Sequence, residues 1–518
     1  MGAQLRVAEV LGALSLATDL GSGVPFEKGL RTATAASLLA DAVGVGAADR
    51  RATYYAALLR SLGCTATSPE FSALFDDDVA VQRELKVADF GDADMFTVQL
   101  ARFGHWAGEE RGLLLRERFV AELPRQGAAL GRAGCEVSAA LGTQLGLPAG
   151  AIAALAEVYE RWDGKGFPEG RGGDDLTIAA RLVHVAEQAV MAHSEGGAPA
   201  ALEEVRRRAG AHLDPNLCVA FEDDAEAIFS ALSAEDLLAR AVAAEPGPAA
   251  FAGPPALDRI CLAFAAFADL KGTCLLGHSQ HVAALAEAGA EQLGLDSEER
   301  SRLRTAALLH DLGRVGVPSS IWNRPGPLGA ADWERVRLHP YWTGRILGRC
   351  TAFASVAALA GAHHERLDGD GYPRGARAQE LGMSERLLAA ADVFAALSED
   401  RPHRPAHAPA DAVAELERDV AAGRLDGSCV SALLAASGLP PVRTAWPADL
   451  TTREVEVMRL VVRGLTNREI GEALSVSART VQHHLASVYD KIGQRTRAGA
   501  AVFAIQSALV PAGLARST

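Results

Sequence analysis

Apolar residues recur along most of the chain at spacings of three and four, as in the segment 282–288 (VAALAEA). Because that spacing places apolar side chains on one face of a helix, the pattern predicts helix over most of the chain. Runs of β-branched residues are few and aromatic residues make up only 5% of the sequence, which argues against a large sheet. We therefore expect an all-α fold.

Two stretches of the chain carry the same motifs in the same order. Residues 56–63 (AALLRSLG) match residues 306–313 (AALLHDLG) at six of eight positions, and residues 160–170 (ERWDGKGFPEG) match residues 365–375 (ERLDGDGYPRG) at seven of eleven. Since the order is shared as well as the residues, the sequence predicts an internal duplication of one helical domain.

Two segments rich in helix breakers divide the chain. They are residues 245–255 (EPGPAAFAGPP) and 438–447 (GLPPVRTAWP). We predict that the two helical bundles occupy residues 1–245 and 256–437, in tandem, and that a small four-helix domain follows at 448–512.

Composition and charge limit the classes of function. The net charge of −14 argues against a chain that coats nucleic acid along its whole length, but residues 449–518 carry a net +3 and could bind it locally. The seven cysteines form no CxxC pair, so neither a disulfide framework nor a zinc ribbon is indicated. No apolar stretch approaches the ~18 residues that cross a bilayer, and the first residues lack a signal-peptide pattern. We expect a cytoplasmic protein that neither spans a membrane nor is secreted.

The second copy concentrates side chains that ligate metals. Five imidazoles and two carboxylates lie within 115 residues, at His278, His310, Asp311, His339, His363, His364 and Asp392. Burying these groups on apolar helices is costly unless a cation compensates. A single histidine is more often an ordinary hydrogen-bonded residue, and on that ground His281, His403 and His407 are left out of the set.

The first copy serves as an internal comparison. The residues it places opposite His278, His310, Asp311, His363, His364 and Asp392 are, in that order, Lys28, Arg60, Ser61, Val158, Tyr159 and Glu187. If the histidines and aspartates served only the fold, the first copy would need them too. We therefore assign the chemistry to the second copy and a degenerate role to the first.

The second copy resembles the HD-GYP family of metal-dependent phosphohydrolases. The motifs that carry the resemblance are HDLGRVGVP (310–318), NRPGPL (323–328), HPYWTGRIL (339–347), HHERLDGDGYPRG (363–375) and DVFAALSEDRPHR (392–404). The resemblance implies an all-helical bundle that holds two, sometimes three, metal ions, usually iron or manganese. The best-known activity of the family is hydrolysis of cyclic di-GMP. The first copy resembles the same fold without its ligands.

The resemblance also implies roles for individual residues. The seven-residue set becomes a metal site, with Asp311 as the bridging carboxylate, and two metal ions would activate a water for attack on phosphorus. Asp311 and Arg314 are the expected catalytic residues. The expected substrate-binding residues are Gly371, Tyr372, Pro373, Arg401 and Arg404, in which the guanidinium groups suit phosphate. For Gly371 and Pro373, a tight turn without contact to substrate is the alternative.

Three positions depart from the family pattern. Arg314 stands where a lysine is usual, which keeps the charge and changes the geometry. Ala395 replaces an aspartate on the substrate side. Cys274 stands one helical turn before His278, where members with three metals carry glutamate, so we expect two divalent ions.

The last part of the chain predicts a helix-turn-helix. Asp449, Thr451 or Thr452 can cap a first helix, which Gly464 ends, and Thr466 or Asn467 can cap a second. Residues 475–477 form a turn before a third helix. The segments LTTREVEV, GLTNREI, SARTVQHH and KIG resemble the LuxR-type DNA-binding domain. That resemblance makes 479–491 the recognition helix, which would enter the major groove.

The same resemblance assigns contacts with DNA. The predicted DNA-binding residues are Arg479, Thr480, Gln482, His483, Ala486 and Lys491. Among them, Gln482, His483 and Ala486 are expected to face base edges and the others to approach phosphates. The last helix, about 496–509, is apolar enough to dimerise, so we expect a homodimer on a two-fold operator.

Three functions stay open at this point. The chain is a cyclic di-GMP phosphodiesterase coupled to transcription, or an inactive nucleotide-sensing transcription factor, or a phosphohydrolase that acts on another nucleotide. The expected partners are DNA, through residues 448–512, and a cyclic dinucleotide or another nucleotide.

Overall fold

The computed structural model describes residues 5–89, 91–442, 447–474, 476–507 and 509. Outside the described residues lie 1–4 and Phe90 of the first predicted domain, 443–446 of the second predicted linker, Ser475 of the predicted turn, and Ala508 and 510–512 of the third predicted domain. The described part is almost entirely helical, which confirms the all-α expectation. Its two short strands, β1 (Leu5–Arg6) and β2 (Phe251–Ala252), pair antiparallel.

The first copy is built from twelve helices within the described residues. They are α1 (Val7–Gly21), α2 (Lys28–Ala42), α3 (Ala47–Leu58), α4 (Ser68–Phe75), α5 (Asp78–Val87), α6 (Ala93–Arg102), α7 (Glu109–Leu145), α8 (Ala149–Ala156), α9 (Ile178–Arg208), α10 (Pro215–Asp223), α11 (Ala225–Leu232) and α12 (Leu237–Ala243). Single-turn 3₁₀ segments lie at Cys64–Thr67, His105–Ala107 and Gly173–Asp175.

The second copy contributes ten described helices. They are α13 (Pro254–Asp269), α14 (His278–Gln292), α15 (Ser297–Leu309), α16 (Ser319–Trp322), α17 (Ala330–Arg337), α18 (His339–Leu347), α19 (Ala354–Ala360), α20 (Met383–Ser398), α21 (Pro409–Ala421) and α22 (Gly427–Ala436). Its 3₁₀ segments are Leu312–Gly316, Thr351–Phe353 and Ala378–Glu380.

The duplication is visible in the register of the helices. Lys28 and His278 are the first residues of α2 and α14, and each follows a residue with positive φ. Glu187 and Asp392 are both the tenth residue of their helices, α9 and α20. The backbone therefore places the paired positions of the two copies equivalently.

The two copies share one continuous apolar core. Helix α1 of the first copy packs on the 3₁₀ segment Leu312–Gly316 of the second copy, and α13 of the second copy packs on α7 of the first. The approach is close, because a Cβ added to Gly316 would lie 2.8 Å from a side-chain atom of Leu20. The first copy thus packs directly against the segment that follows the His310–Asp311 pair.

The C-terminal helices are α23 (Thr452–Val462), α24 (Asn467–Ala473), α25 (Ala478–Ile492) and α26 (Arg497–Gln506), preceded by the 3₁₀ segment Pro447–Asp449. Thr451 and Glu454 form a capping box at the start of α23, and Thr466 and Glu469 form another at α24. Val457, Ile470 and Val481 pack between α23, α24 and α25.

None of the helices in the described part of the chain has the length and apolar character that a bilayer-spanning helix needs.

Candidate metal centre

Helix ends deliver most of the predicted ligands to one place. His278 begins α14 and His339 begins α18, whereas His310 and Asp311 directly follow the last residue of α15. The remaining positions come from the turn after α19 and from α20, at His363, His364 and Asp392. Six of the seven side chains are at most 6% exposed, and that of His364 is 18% exposed.

The cluster contains two groups of possible ligand atoms. One atom from each of His339, His363 and His364 forms the first group, and one atom from each of His278, His310 and Asp311 forms the second. Within each group all the atoms lie within 4.8 Å of one another. Cys274 belongs to neither group.

Asp311 connects the two groups through its two carboxylate oxygens. Oδ1 lies 3.3 Å from Nε2 of His339 and 3.6 Å from Nε2 of His363. Oδ2 lies 3.1 Å from Nε2 of His310 and 3.7 Å from Nε2 of His278. A carboxylate with one oxygen in each group has the geometry of a bridging ligand.

Asp392 makes a second connection. Its Oδ1 is 3.2 Å from Nε2 of His278 and 3.8 Å from Nε2 of His310. Its Oδ2 is 3.5 Å from Nδ1 of His364. Two aspartates therefore lie between the same two sets of imidazoles.

Backbone carbonyls orient three of the imidazoles. Nδ1 of His310, His339 and His363 lies 2.7, 2.6 and 2.7 Å from the carbonyl oxygen three residues earlier. Each Nδ1 therefore carries the proton and donates it, which leaves the Nε2 lone pair free to ligate. Yet Nε2 of His339 and Nε2 of His363 are only 3.0 Å apart. Two lone pairs at that distance repel each other unless a cation or a proton lies nearby.

The buried polar atoms at the centre fit divalent ions. Nε2 of His310 and both carboxylate oxygens of Asp311 are buried without a partner of good hydrogen-bond geometry among the described residues. Leaving such groups unsatisfied is costly. Imidazole and carboxylate together suit iron, manganese or zinc, and the donor set therefore accommodates such a metal.

The electrostatics prepare the carboxylates and one imidazole for ligation. Burial opposes ionisation of Asp311, but Arg314 and His310 outweigh it and hold the pKa of the carboxyl well below its usual range. For Asp392, hydrogen bonding with His278 and the charge of His364 likewise outweigh burial and lower the pKa. Burial and the neighbouring His310 lower the pKa of His363 to about 3, which keeps this imidazole neutral.

Glu399 contacts the cluster, and the sequence did not predict it. Its Oε2 is 2.8 Å from Nδ1 of His278, and its Oε1 is 2.8 Å from Nδ1 of His281. Burial disfavours the charged form of His278, but hydrogen bonds with Asp392 and Glu399 outweigh it and raise the pKa of His278 to about 9. The available signal was an acidic residue seven positions after Asp392, just beyond the end of α20.

Comparisons with known proteins agree with this architecture. The HD domain family matches residues 135–217 and 263–429. The 3′3′-cGAMP-specific phosphodiesterase 3 of Vibrio cholerae is 29% identical over 84% of this chain and 95% of its own length. A crystal structure of a cyclic GMP-AMP specific phosphodiesterase from V. cholerae aligns over 85% of this chain and 99% of its own, with 26% identity and a TM-score of 0.59.

The chain carries an HD domain and is homologous to HD-GYP phosphodiesterases. It is a metal-dependent phosphodiesterase by homology. Xanthomonas campestris RpfG, a cyclic di-GMP phosphodiesterase response regulator, is 40% identical over 171 residues, which are 32% of this chain and 44% of RpfG. The bacterial regulatory protein family of luxR type matches residues 448–504, so the chain also carries a LuxR-type helix-turn-helix.

Arg314 contacts the carboxylate of Asp311. Its guanidinium forms an ion pair with Oδ2 of Asp311 and lies 4.8 Å from the ring centroid of Trp322. Nε and Nη1 of Arg314 are buried without a hydrogen-bond partner among the described residues. The side chain therefore has donors available beside the cluster.

The other two predicted phosphate-binding arginines differ from each other. Nη2 of Arg401 lies 3.0 Å from Oε2 of Glu399, at the edge of the cluster. We expected Arg404 at the phosphate as well, but its guanidinium instead donates to carbonyl oxygens of Ala396, Leu397, Glu399 and Pro405. Ala396, Leu397 and Glu399 lie at the end of α20, so Arg404 bonds the last carbonyls of this helix and caps it.

The loop with Gly371, Tyr372 and Pro373 places the side chain of Tyr372 at the cluster. The ring of Tyr372 lies 4.7 Å from that of His364. Gly371 is required by packing, because an added Cβ would lie 2.4 Å from the backbone nitrogen of Arg366. Buried Glu365 accepts hydrogen bonds from two backbone amides of the loop. Pro373 is exposed.

In the first copy, basic side chains occupy the place of the ligands. Buried Glu187 forms ion pairs with both Lys28 and Arg60. Nζ of Lys86 donates to Oγ of Ser61 at 2.8 Å. An added Cβ on Gly63 would meet the carbonyl of Gly134 just as one on Gly313 would meet that of His339. Gly134 therefore stands in the place of His339, and this copy has lost the imidazoles.

The predicted DNA-binding residues lie on α25. Five of them are exposed, namely Arg479, Thr480, Gln482, His483 and Ala486. We expected Lys491 to approach a phosphate, whereas its side chain here contacts the start of α23. Its Nζ is 2.7 Å from Oε2 of Glu454 and donates to the carbonyl of Asp449, because α25 crosses the start of α23 there.

Proposed function

We propose that the second copy hydrolyses a phosphodiester bond of a cyclic dinucleotide, cyclic di-GMP or 3′3′-cGAMP, with two divalent ions of iron or manganese. The observation that carries the proposal is the position of Asp311, whose two oxygens face two separate groups of ligand atoms. In support, relatives bear the names of phosphodiesterases for both dinucleotides.

The residues would divide the ions between them. His339, His363 and His364 would hold one ion with Oδ1 of Asp311. His278, His310 and Asp392 would hold the other with Oδ2 of Asp311. When bound, two such ions supply an activated water and neutralise charge on the phosphoryl oxygens.

The protein side chains would orient the substrate. Arg314 and Arg401 are the guanidinium groups beside the cluster, and planar guanidinium groups bind phosphate in bidentate fashion. The ring of Tyr372, which faces His364, would form part of the wall against which a base or ribose packs. Glu399 would fix the imidazole of His278 through Nδ1 and so direct Nε2 toward its ion.

We also propose that residues 448–512 bind DNA as part of a homodimer in the cytoplasm. The exposed side chains of α25 and the luxR-family match support the DNA contact. Ala500 and Ala504 of α26 are buried in the small core of the domain, whereas Val502 of the same helix is exposed and available for contact with a second copy. Occupancy or turnover of the dinucleotide would be coupled to DNA binding.

The test measures hydrolysis of cyclic di-GMP and of 3′3′-cGAMP by the purified chain loaded with iron or manganese. The products are separated by chromatography. We expect linear dinucleotide or mononucleotide from at least one substrate. Asp311→Ala is expected to lose metal and hydrolysis, whereas His403→Ala, an exposed histidine outside the cluster, retains both. Binding of dinucleotide without product would favour the inactive sensor, and turnover of only other phosphate esters would favour a different substrate.

A further inference from the structure

Asp78 of the first copy is buried against the second copy. It is the first residue of α5, and its side chain is 0% exposed. One carboxylate oxygen forms an ion pair with Nζ of Lys271, which is also 0% exposed. The other oxygen accepts a hydrogen bond from the backbone nitrogen of Ser319 at 2.7 Å. A single carboxylate of one copy therefore holds two segments of the other.

Both of those segments lead to the metal cluster. Lys271 lies seven residues before His278, and Ser319 begins α16, just after the segment that follows Asp311. Oγ of Ser319 also donates to the carbonyl oxygen of Lys271 at 2.7 Å. The two segments are thus tied to each other as well as to Asp78.

The far end of α16 contacts the reacting centre. Trp322 is its last residue, and its Nε1 donates to the carbonyl oxygen of Arg314 at 3.4 Å. Its ring lies beneath the guanidinium of Arg314 and 5.6 Å from the imidazole of His339. Because α16 is one turn long, a shift at Ser319 is transmitted to Trp322.

We infer that Asp78 is a positioning residue through which the first copy orders the metal centre of the second. It fixes the start of α16, and Trp322 at the end of α16 holds Arg314 against Asp311. The expected effect on kcat rests on the proposed function, whereas the expected ordering of α16 by Asp78 does not. The inference gives the degenerate copy a role in the geometry of the site.

A nearby ion pair provides a matched control. Asp77 precedes Asp78, and its Oδ2 lies 2.9 Å from Nη2 of Arg335 across the same junction. The Arg335 side chain is 47% exposed, and Arg335 lies in α17 and not in α16. Arg335→Gln therefore removes a contact between the copies without removing the acceptor of Ser319.

Two double variants separate the acceptor from the buried charge. Asp78→Ala leaves Lys271 as an unpaired buried cation, which by itself destabilises the protein. Both variants therefore carry Lys271→Met. D78N/K271M keeps an oxygen for the Ser319 amide, and D78A/K271M does not. Hydrogen exchange of residues 314–323 and steady-state kinetics are measured on both, with metal content and thermal melting recorded alongside.

We expect D78A/K271M to exchange faster in 314–323 and to lose about tenfold in kcat at unchanged metal content, since small displacements are costly in a reacting site. D78N/K271M and Arg335→Gln are expected to resemble the wild type. Trp322→Leu, which leaves the junction intact, should reproduce the loss in kcat even if D78A/K271M does not fold.

Equal exchange in the two double variants would overturn the inference, as would wild-type kcat in Trp322→Leu. Faster exchange with unchanged kcat would also overturn it, because Asp78 would then serve stability alone. If the wild type itself turned over neither dinucleotide, the proposed function would fail, and the exchange difference would still decide whether Asp78 orders α16.

Discussion

Lys28 and Glu187 form a buried ion pair at the positions where the second copy has His278 and Asp392. Arg60, which stands opposite His310, contacts the same carboxylate. The first copy therefore neutralises its buried acid with side-chain cations, and the second copy has imidazoles and carboxylates that suit metal ions. Several consequences of this difference can be measured.

Glu187→Leu is expected to destabilise the protein by about 3–5 kcal/mol, because Lys28 and Arg60 would be left buried without a counter-charge. Urea unfolding measures the loss. The control is Asp41→Ala, which breaks an exposed pair with Arg50 and is expected to cost no more than about 1 kcal/mol. An equally small loss of unfolding free energy in Glu187→Leu and Asp41→Ala would mean that the charges of Lys28 and Arg60 are solvated.

The stability contributed by Glu187 should depend on pH. Burial disfavours its charged form, but Arg60 and Lys28 outweigh burial and lower its pKa from 4.5 to about 2. A depressed pKa gives stability that is present above about pH 4.5 and is lost as the pH falls toward 2. The difference in unfolding free energy between wild type and Glu187→Gln should therefore shrink between pH 5 and pH 3. A difference that grew on acidification would contradict the assignment.

Metal analysis should find two ions per chain, since the first copy lacks imidazoles at the positions of His310, His339 and His363. Chelation is expected to lower the melting temperature by mass action, because the ions bind the folded state. The control is Glu187→Gln, which should leave the metal content unchanged. Four ions per chain would show that the first copy also binds metal.

Arg401 and Arg404 should respond differently to substitution by alanine. Arg401→Ala is expected to lower kcat/KM by at least tenfold with little change in melting temperature, because Arg401 lies at the cluster. Arg404→Ala is expected to lower the melting temperature, since four carbonyl oxygens lose a donor, and to change kcat/KM less. A larger loss of kcat/KM in Arg404→Ala than in Arg401→Ala would indicate instead that Arg404 binds the phosphate.

In the C-terminal domain, Arg479→Ala should weaken binding to duplex DNA and reduce the slope of log affinity against log salt by about 1, as for one phosphate contact. Lys491→Gln should mainly lower the stability of the domain, since Lys491 pairs with Glu454. Titrations at several salt concentrations, beside thermal melts, distinguish the two. An unchanged slope for Arg479→Ala would exclude the phosphate contact.

The sequence by itself determined the class of fold and the set of candidate ligands. Periodicity of apolar residues is a local property, so it predicted helices that the structure confirms. The comparison between repeats distinguished candidate ligands from residues of the scaffold, because both copies must satisfy the same packing whereas only one has the predicted ligands. The cap residues Thr451 and Thr466 were readable for the same local reason.

Only the tertiary structure decided which groups meet. Glu399 reaches His278 across 121 positions, and Asp78 reaches Lys271 across 193. Arg404 and Lys491 look like free cations in the sequence, yet each is directed to partners that packing brings near, the carbonyls at the end of α20 and Glu454. Such pairings depend on how helices cross, and helix crossing is set by the whole core, which no short stretch of sequence encodes.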